Sequence, residues 1–203
     1  MIRIHGIAKS RAFRCIWAAE EAGQPYEVVP VSFGPGMKAA AHLKVNPNGK
    51  IPAMEDGALV LFESLAINLH IAAKAGAPLN PAGDDASRVM QWTLWAATEV
   101  EPAAMQWAYN TYIRPEADRD AGQAAAGAAG LMARLDVLEG QLGANPFLLG
   151  PDFTIADCNL AGVLYGAWSN KFDLSGHPKV KAWLERCFNR PAALTARALR
   201  DAA

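Results

Sequence analysis

The residues with the most chemical potential in this chain fall in one stretch, NPNGKIPAMEDGALVLFESLAINLHIA, from Asn46 to Ala72. Glu63 and Ser64 stand where an apolar strand pattern gives way to a helical one. A helix N-terminus, with unpaired N–H groups and the positive end of its dipole, favours an anion. Either side chain can instead serve simply as the helix cap. Lys50 adds a cation ahead of Ile51 and Pro52, and Pro52 opens a strand pattern although proline has no N–H to give a sheet. A trans strand-opener and a cis proline in a constrained turn both remain open there. Cys15, Cys158 and Cys187 form no CxxC pair and sit in helical patterns, where small buried hydrophobes are expected. His5, His42, His70 and His177 are too dispersed for a metal cluster, so no metal is expected.

The elements that must position these residues can be read from periodicity. IRIHGI reads as a strand, and an apolar helical face follows through Ala22, stopped by Gly23 and Pro25. YEVVPVSF reads as a second strand whose Pro30 marks an edge or an end. After a short helix and turn, IPAMED and ALVLF alternate across Asp56-Gly57 as a hairpin, and Ser64 to Ala75 reads as a helix closed by Gly76. The order is βαβ, α, ββα over residues 1–77, then a Pro-rich linker at 78–85.

From 86 to 203 every pattern is helical. Asp84 to Tyr112 is a long Trp-rich segment that Pro102 should bend or interrupt, and Glu116 to Leu142 carries Leu131, Leu135, Leu138 and Leu142 at helical spacing. The small residues of AGQAAAGAAG would let a neighbouring backbone approach closely. Thr154 and Asp157 form a capping box for another helix, and two final helices follow. The fold class is therefore α/β plus all-α.

Composition bounds the function. A chain of 203 residues with 52% hydrophobic content can bury a substantial core. A formal charge of -1 gives no basic surplus for nucleic acid. No stretch approaches a membrane span, and the N-terminal residues lack a signal-peptide run, so a soluble cytoplasmic protein is expected.

A βαβ-α-ββα unit followed by helices, with KIP opening the third strand and ES opening a helix, resembles the cytosolic glutathione transferase family, in particular its Ser-dependent, theta-like, bacterial-type members. FTIADCNLA independently resembles the capping-box segment of that family's helical domain. The resemblance implies a thioredoxin-like N-terminal domain and a cis Pro52, with the backbone of Ile51 pairing with the cysteinyl unit of glutathione. It implies that Ser64 holds the γ-glutamyl carboxylate, Glu63 faces the ammonium, and Lys50, or Lys38 in its place, reaches the glycyl carboxylate.

By the same resemblance Ser10, in GIAKSRAFR, activates the glutathione thiol, although a serine at this point can instead be only the helix N-cap. Lys9 or Arg11 could add positive potential, and Arg14 is assigned to supporting the helix or domain interface. The electrophile is expected between the domains, against Trp107, Tyr109, Tyr112 and Trp168, which are equally suited to core or dimer contacts. The implied activity is conjugation of the glutathione thiolate, as cosubstrate, to a hydrophobic electrophile by a homodimer. Glutathione-dependent peroxide reduction and a non-catalytic regulatory role are the alternatives. Maleylacetoacetate isomerase is disfavoured because SRAFR lacks an SSC run.

Overall fold

The computed structural model describes residues 1–203 as two compact units, one formed by Met1–Ala82 with Phe188–Ala203 and the other by Gly83–Cys187. The first unit is built on a four-stranded sheet in the order β2-β1-β3-β4, from β1 (Ile2–His5), β2 (Tyr26–Val29), β3 (Ala53–Asp56) and β4 (Leu59–Phe62). β1 and β2 are parallel, whereas β3 pairs antiparallel with both β1 and β4. The crossover joining β1 to β2 is α1 (Ala12–Glu21). β1 and β2 are shorter than the apolar runs that announce them. β1 ends where Gly6 takes a φ of 154°, and β2 ends at Val29 because Pro30 has no N–H to extend the ladder.

Two short helices, α2 (Pro35–Lys38) and α3 (Ala40–Val45), lead to β3. The β3–β4 hairpin turns at Gly57, whose φ of 63° favours a residue without Cβ. α4 (Ser64–Ala75) follows and ends at Gly76, with φ 73°. Ile2 and Ile4 on one face of β1 are fully buried, as are Ile16, Trp17, Ile67 and Ile71 of α1 and α4. The other face of β1 carries His5, whose ring lies 6.4 Å from that of His42 on α3. That second face is covered at His5 and open to solvent at Arg3.

The second unit begins with α5 (Asp84–Trp95) and α6 (Glu101–Ala108), joined through a π-helical turn at Ala96–Val100. Pro102 sits in the first turn of α6, so the N–H it lacks is absorbed at a widened turn and the helix runs on. A second π turn, Tyr109–Ile113, ends the segment. α7 (Ala121–Leu142) starts later than its apolar pattern suggests. Residues 116–118 form a single 3₁₀ turn, and the Asp120 side chain then accepts the Gln123 N–H at 2.9 Å as the N-cap. Leu131, Leu135, Leu138 and Leu142 are all buried. A Cβ on Gly127 would stand 2.4 Å from the Trp107 backbone N, so the small residues of α7 do let α6 approach closely.

α8 (Ile155–Ser169) is buried along most of its length, which suits its all-round apolar sequence. Its Thr154–Asp157 capping box is formed, and Asp157 also accepts from Leu148 N and Trp183 Nε1, each at 2.9 Å. α9 (Pro178–Phe188) follows, and then α10 (Pro191–Ala202).

Helical patterning groups α10 with the helices before it, but α10 packs on α1 in the first unit. The cause is specific. Ala193 and Ala196 are fully buried, and Arg190 makes a two-point ion pair with the buried carboxylate of Glu21 at 2.7 and 2.8 Å.

Candidate functional site

The end of β1 collects the first set of site residues. Gly6 is followed by a turn in which Ser10 N–H and Ser10 Oγ both donate to the Ile7 carbonyl, at 2.9 and 2.7 Å. The same Oγ accepts the Ala12 N–H at 3.1 Å, at the start of α1. Ser10 therefore takes up the first N–H of α1 from one residue before the N-cap position, Arg11, with its hydroxyl hydrogen directed to Ile7. The cap uses a lone pair of the oxygen and leaves the hydrogen able to turn to another acceptor. A Cβ built on Gly6 would meet Ala12 Cβ at 2.9 Å, Ile51 Cβ at 3.5 Å and Ser10 Oγ at 3.6 Å. Gly6 is thus the point at which Ser10 and Ile51 converge, and no larger residue fits there.

Ile51–Pro52 is a cis peptide bond, as is Ala77–Pro78 in the segment after α4. Ile51 and Pro52 are buried ahead of β3. The loop before them is held by residues whose role the sequence reading did not foresee. The Lys50 carbonyl accepts from His42 Nε2 at 2.8 Å and from Asn46 Nδ2 at 2.7 Å, and Asn46 Oδ1 accepts the Asn48 N–H at 3.1 Å. Because a carbonyl only accepts, His42 carries its hydrogen on Nε2, and its Nδ1 is buried without a partner. Gly49 takes φ 59°, and a Cβ there would stand 2.8 Å from Lys38 Nζ. Lys38 and Lys50, both exposed and neither in an ion pair, therefore serve the same loop. His42 and Asn46 sit one turn apart on and just after α3, a spacing that could have flagged them as a pair facing the KIP loop.

The start of α4 completes the set. Glu63 holds φ 71° and ψ 109° immediately before the helix, and its side chain caps nothing. Only a few per cent of residues other than glycine adopt a positive φ, and those that do tend to cluster at sites. Ser64 is buried and its Oγ accepts a long hydrogen bond from Arg14 Nη1 at 3.4 Å. The first N–H groups of α4 thus have no side-chain acceptor, and a buried guanidinium adds positive charge beside them. Arg14, expected from the sequence to support the helix or domain interface, lies between α1 and the first residue of α4. Cys15 Sγ donates to the Ser64 carbonyl at 3.6 Å. Burial pushes the Cys15 thiol far above its usual range despite the neighbouring Arg14, so it stays protonated and is no nucleophile.

In the second unit the aromatic residues pack against one another, and the Tyr112 hydroxyl lies beside Gly166 on α8. Trp107 makes edge contacts with Tyr112, at 5.6 Å between ring centroids, and with Phe172, at 5.0 Å. Trp168 meets Tyr165 at 6.0 Å. Tyr109 is exposed with Arg114 over its ring at 5.6 Å. No group of three or more His, Cys, Asp or Glu side chains is placed to hold a metal ion, and no helix is long and apolar enough to cross a membrane.

Known proteins give this geometry its context. The N-terminal domain model of glutathione S-transferases matches residues 3–73, and the C-terminal domain model matches 100–191. Glutathione S-transferase 3 of Zea mays is 34% identical over 201 residues, covering 94% of this chain and 90% of its own. A theta class glutathione S-transferase of Xanthomonas axonopodis pv. citri, solved with glutathione bound, superposes with a TM-score of 0.88 at 32% identity, over 96% of each chain. Glutathione transferase F2 of Populus trichocarpa, at 21% identity and TM-score 0.92 over the whole of both chains, shares the fold. Two domain models matched in their proper order, on a sheet unit with a cis-proline loop before β3 and an uncapped helix after β4, leave one assignment: the chain belongs to the glutathione S-transferase family.

Proposed function

We propose that this transferase conjugates glutathione to an electrophilic small molecule, with Ser10 donating a hydrogen bond to the glutathione sulfur. The observation that carries the reading is the convergence of Ser10 Oγ and Ile51 at Gly6, both within 3.6 Å of where a Cβ would stand. Ile51 offers its backbone to the cysteinyl unit. The N–H groups and hydroxyl of Ser64 hold the γ-glutamyl carboxylate, supported by Arg14, and Glu63 meets the ammonium. Lys38 and Lys50 supply the positive charge for the glycyl carboxylate.

In the reaction the Ser10 hydroxyl turns from the Ile7 carbonyl to the sulfur, while the Ser10 N–H stays on Ile7. Lowering a thiol pKa by two units from about 8.5 takes about 2.7 kcal/mol of preferential thiolate stabilisation. A charge-assisted hydrogen bond together with the dipole of α1 is of that order. The thiolate attacks an electrophilic carbon and forms the C–S bond. The displaced electron pair leaves with a halide or opens an epoxide or a conjugated double bond. Trp107 and Tyr112 form the apolar surface for the electrophile, with Tyr109 and Trp168 as further candidates. A homodimer in the cytoplasm is the assembly and compartment this reading carries.

The test is Ser10→Ala. Glutathione affinity should change little, turnover at neutral pH should fall about 100-fold, and ultraviolet titration should show the bound thiol pKa raised. An unshifted thiolate together with a loss of about 1 kcal/mol of folding stability would reduce Ser10 to its capping role. A panel of aryl halides, epoxides, enals and hydroperoxides identifies the electrophile class. Activity confined to hydroperoxides would replace conjugation by peroxide reduction.

A further inference from the structure

The turn that carries Ser10 is held from the far end of the chain. Arg200 on α10 donates from Nη1 to the carbonyl of Ala8 at 3.0 Å, two residues before Ser10. The guanidinium also lies over the Phe13 ring, 5.8 Å from its centroid. At the other end of α10, Arg190 clamps Glu21, which also accepts Trp17 Nε1 at 2.9 Å. α10 thus runs antiparallel along α1, tied near both ends of that helix, with Ala193 and Ala196 buried in between. Nothing in the glutathione-binding roles above accounts for a cation placed on the Ala8 carbonyl.

We propose that Arg200 is a positioning residue that holds the Ala8–Ser10 turn while the Ser10 hydroxyl is engaged with the sulfur. The proposal rests on the reading of Ser10 given above. With the hydroxyl directed to Ile7, two hydrogen bonds from Ser10 brace the turn internally. Turning the hydroxyl to the sulfur removes one of them at the moment when the oxygen must be most accurately placed. The Arg200 bond to Ala8 does not depend on that hydroxyl, so it braces the turn in both states. Ala8 is buried, so water is a poor replacement donor for its carbonyl. The requirement is a donor at this place and not a positive charge near the sulfur.

The experiment is a cycle between Ser10→Ala and Arg200→Met, with Arg200→Gln as the neutral variant that keeps a donor. In the parent background, Arg200→Met should lower kcat about tenfold and raise the pKa of bound glutathione, with KM for glutathione nearly unchanged. Arg200→Gln should recover most of that loss. In the Ser10→Ala background, Arg200→Met should have no further effect on the thiolate titration. An equal effect of Arg200→Met in both backgrounds, or no effect in the parent, would overturn the positioning role. So would a Gln variant as impaired as Met. If Arg200→Met proves unfolded by circular dichroism, the Gln variant decides: it must fold and titrate like the parent, or the proposal fails. Failure of the Ser10 reading itself appears separately, as an unshifted thiolate in Ser10→Ala alone.

Discussion

Arg14 Nη1 stands 3.4 Å from Ser64 Oγ, joining the first turn of α1 to the first residue of α4. Both residues are buried, and α4 has no side-chain cap. A buried guanidinium, a hydroxyl and uncapped helix N–H groups therefore act together on whatever anion reaches that point. Replacing Ser64 by Ala removes a partner of Arg14 and, on the proposed reading, a donor to the glutamyl carboxylate. Glutathione affinity should fall by about 1–3 kcal/mol, the cost of a charged group left underpaired. Calorimetry decides, and an unchanged dissociation constant would remove Ser64 from the site.

Glu63 gives a second expectation, because its φ of 71° places a Cβ-bearing residue in the left-handed half of the map. Such a conformation costs of the order of 1–3 kcal/mol, whereas glycine adopts it freely at an entropic cost of roughly 0.5–1 kcal/mol. Glu63→Gly should therefore melt no lower than the parent while binding glutathione more weakly, having lost the carboxylate proposed to meet the ammonium. A clear drop in melting temperature would show that the backbone here is not strained.

The loop before cis-Pro52 supplies a third. Asn46→Ala deletes one donor to the Lys50 carbonyl and the acceptor of the Asn48 N–H, leaving His42 as the sole side chain on that carbonyl. Stability should fall by about 1–2 kcal/mol. KM for glutathione should rise more than kcat falls, since the proposed roles of Lys50 and Ile51 are to bind the tripeptide and not the electrophile. A variant with parental KM would separate the loop from the binding site.

How far these relationships were legible in the sequence depended on their range. The hairpin at Gly57, the helix from Ser64 to Ala75 and the Thr154–Asp157 box rest on local periodicity and capping, and each lies where the pattern put it. Local signals also overshoot. Pro30 and Gly6 cut both first strands short, and α7 starts after Asp120, later than the expected start at Glu116. Arg14 against Ser64 and Arg200 against Ala8 leave no local trace, because contacts across 50 and 192 residues depend on the tertiary fold. The placement of α10 escaped for the same reason. Its apolar face is helical wherever it packs, and it is long-range pairs such as Arg190 with Glu21 that say against which helix.

Asp56 gives a pH dependence with a definite sign. Hydrogen bonds from Lys74 and then His70 hold its carboxyl below the ordinary value of 3.8, outweighing partial burial. A depressed carboxylate stabilises the fold above the unfolded value, and that contribution is lost as pH falls through the folded one. The melting-temperature gap between the parent and Asp56→Asn should therefore be constant from about pH 6 to pH 5 and close as the pH drops below 3.8. A gap that persists undiminished in acid would assign the effect to packing.

The surface of β4 yields the last expectation. β4 is an edge strand, and Leu59, Val60 and Phe62 on it are 41%, 44% and 39% exposed. Met90 and Leu94, one turn apart on α5, are 47% and 55% exposed. An apolar edge strand invites pairing or aggregation unless something covers it, and a protein built to be monomeric would blunt it with charge or proline. A second copy of the chain is the occupant the proposed homodimer supplies. In a two-fold arrangement each surface is used twice, so one charge introduced per chain is felt twice per dimer. Val60→Lys and Met90→Glu should therefore each shift the protein from dimer to monomer at micromolar concentration by light scattering. They should leave the circular dichroism of the fold unchanged, because neither side chain contributes to a core. A parent protein that is already monomeric under these conditions would contradict the assembly, and a dimer that survives both substitutions would move its interface elsewhere on the chain.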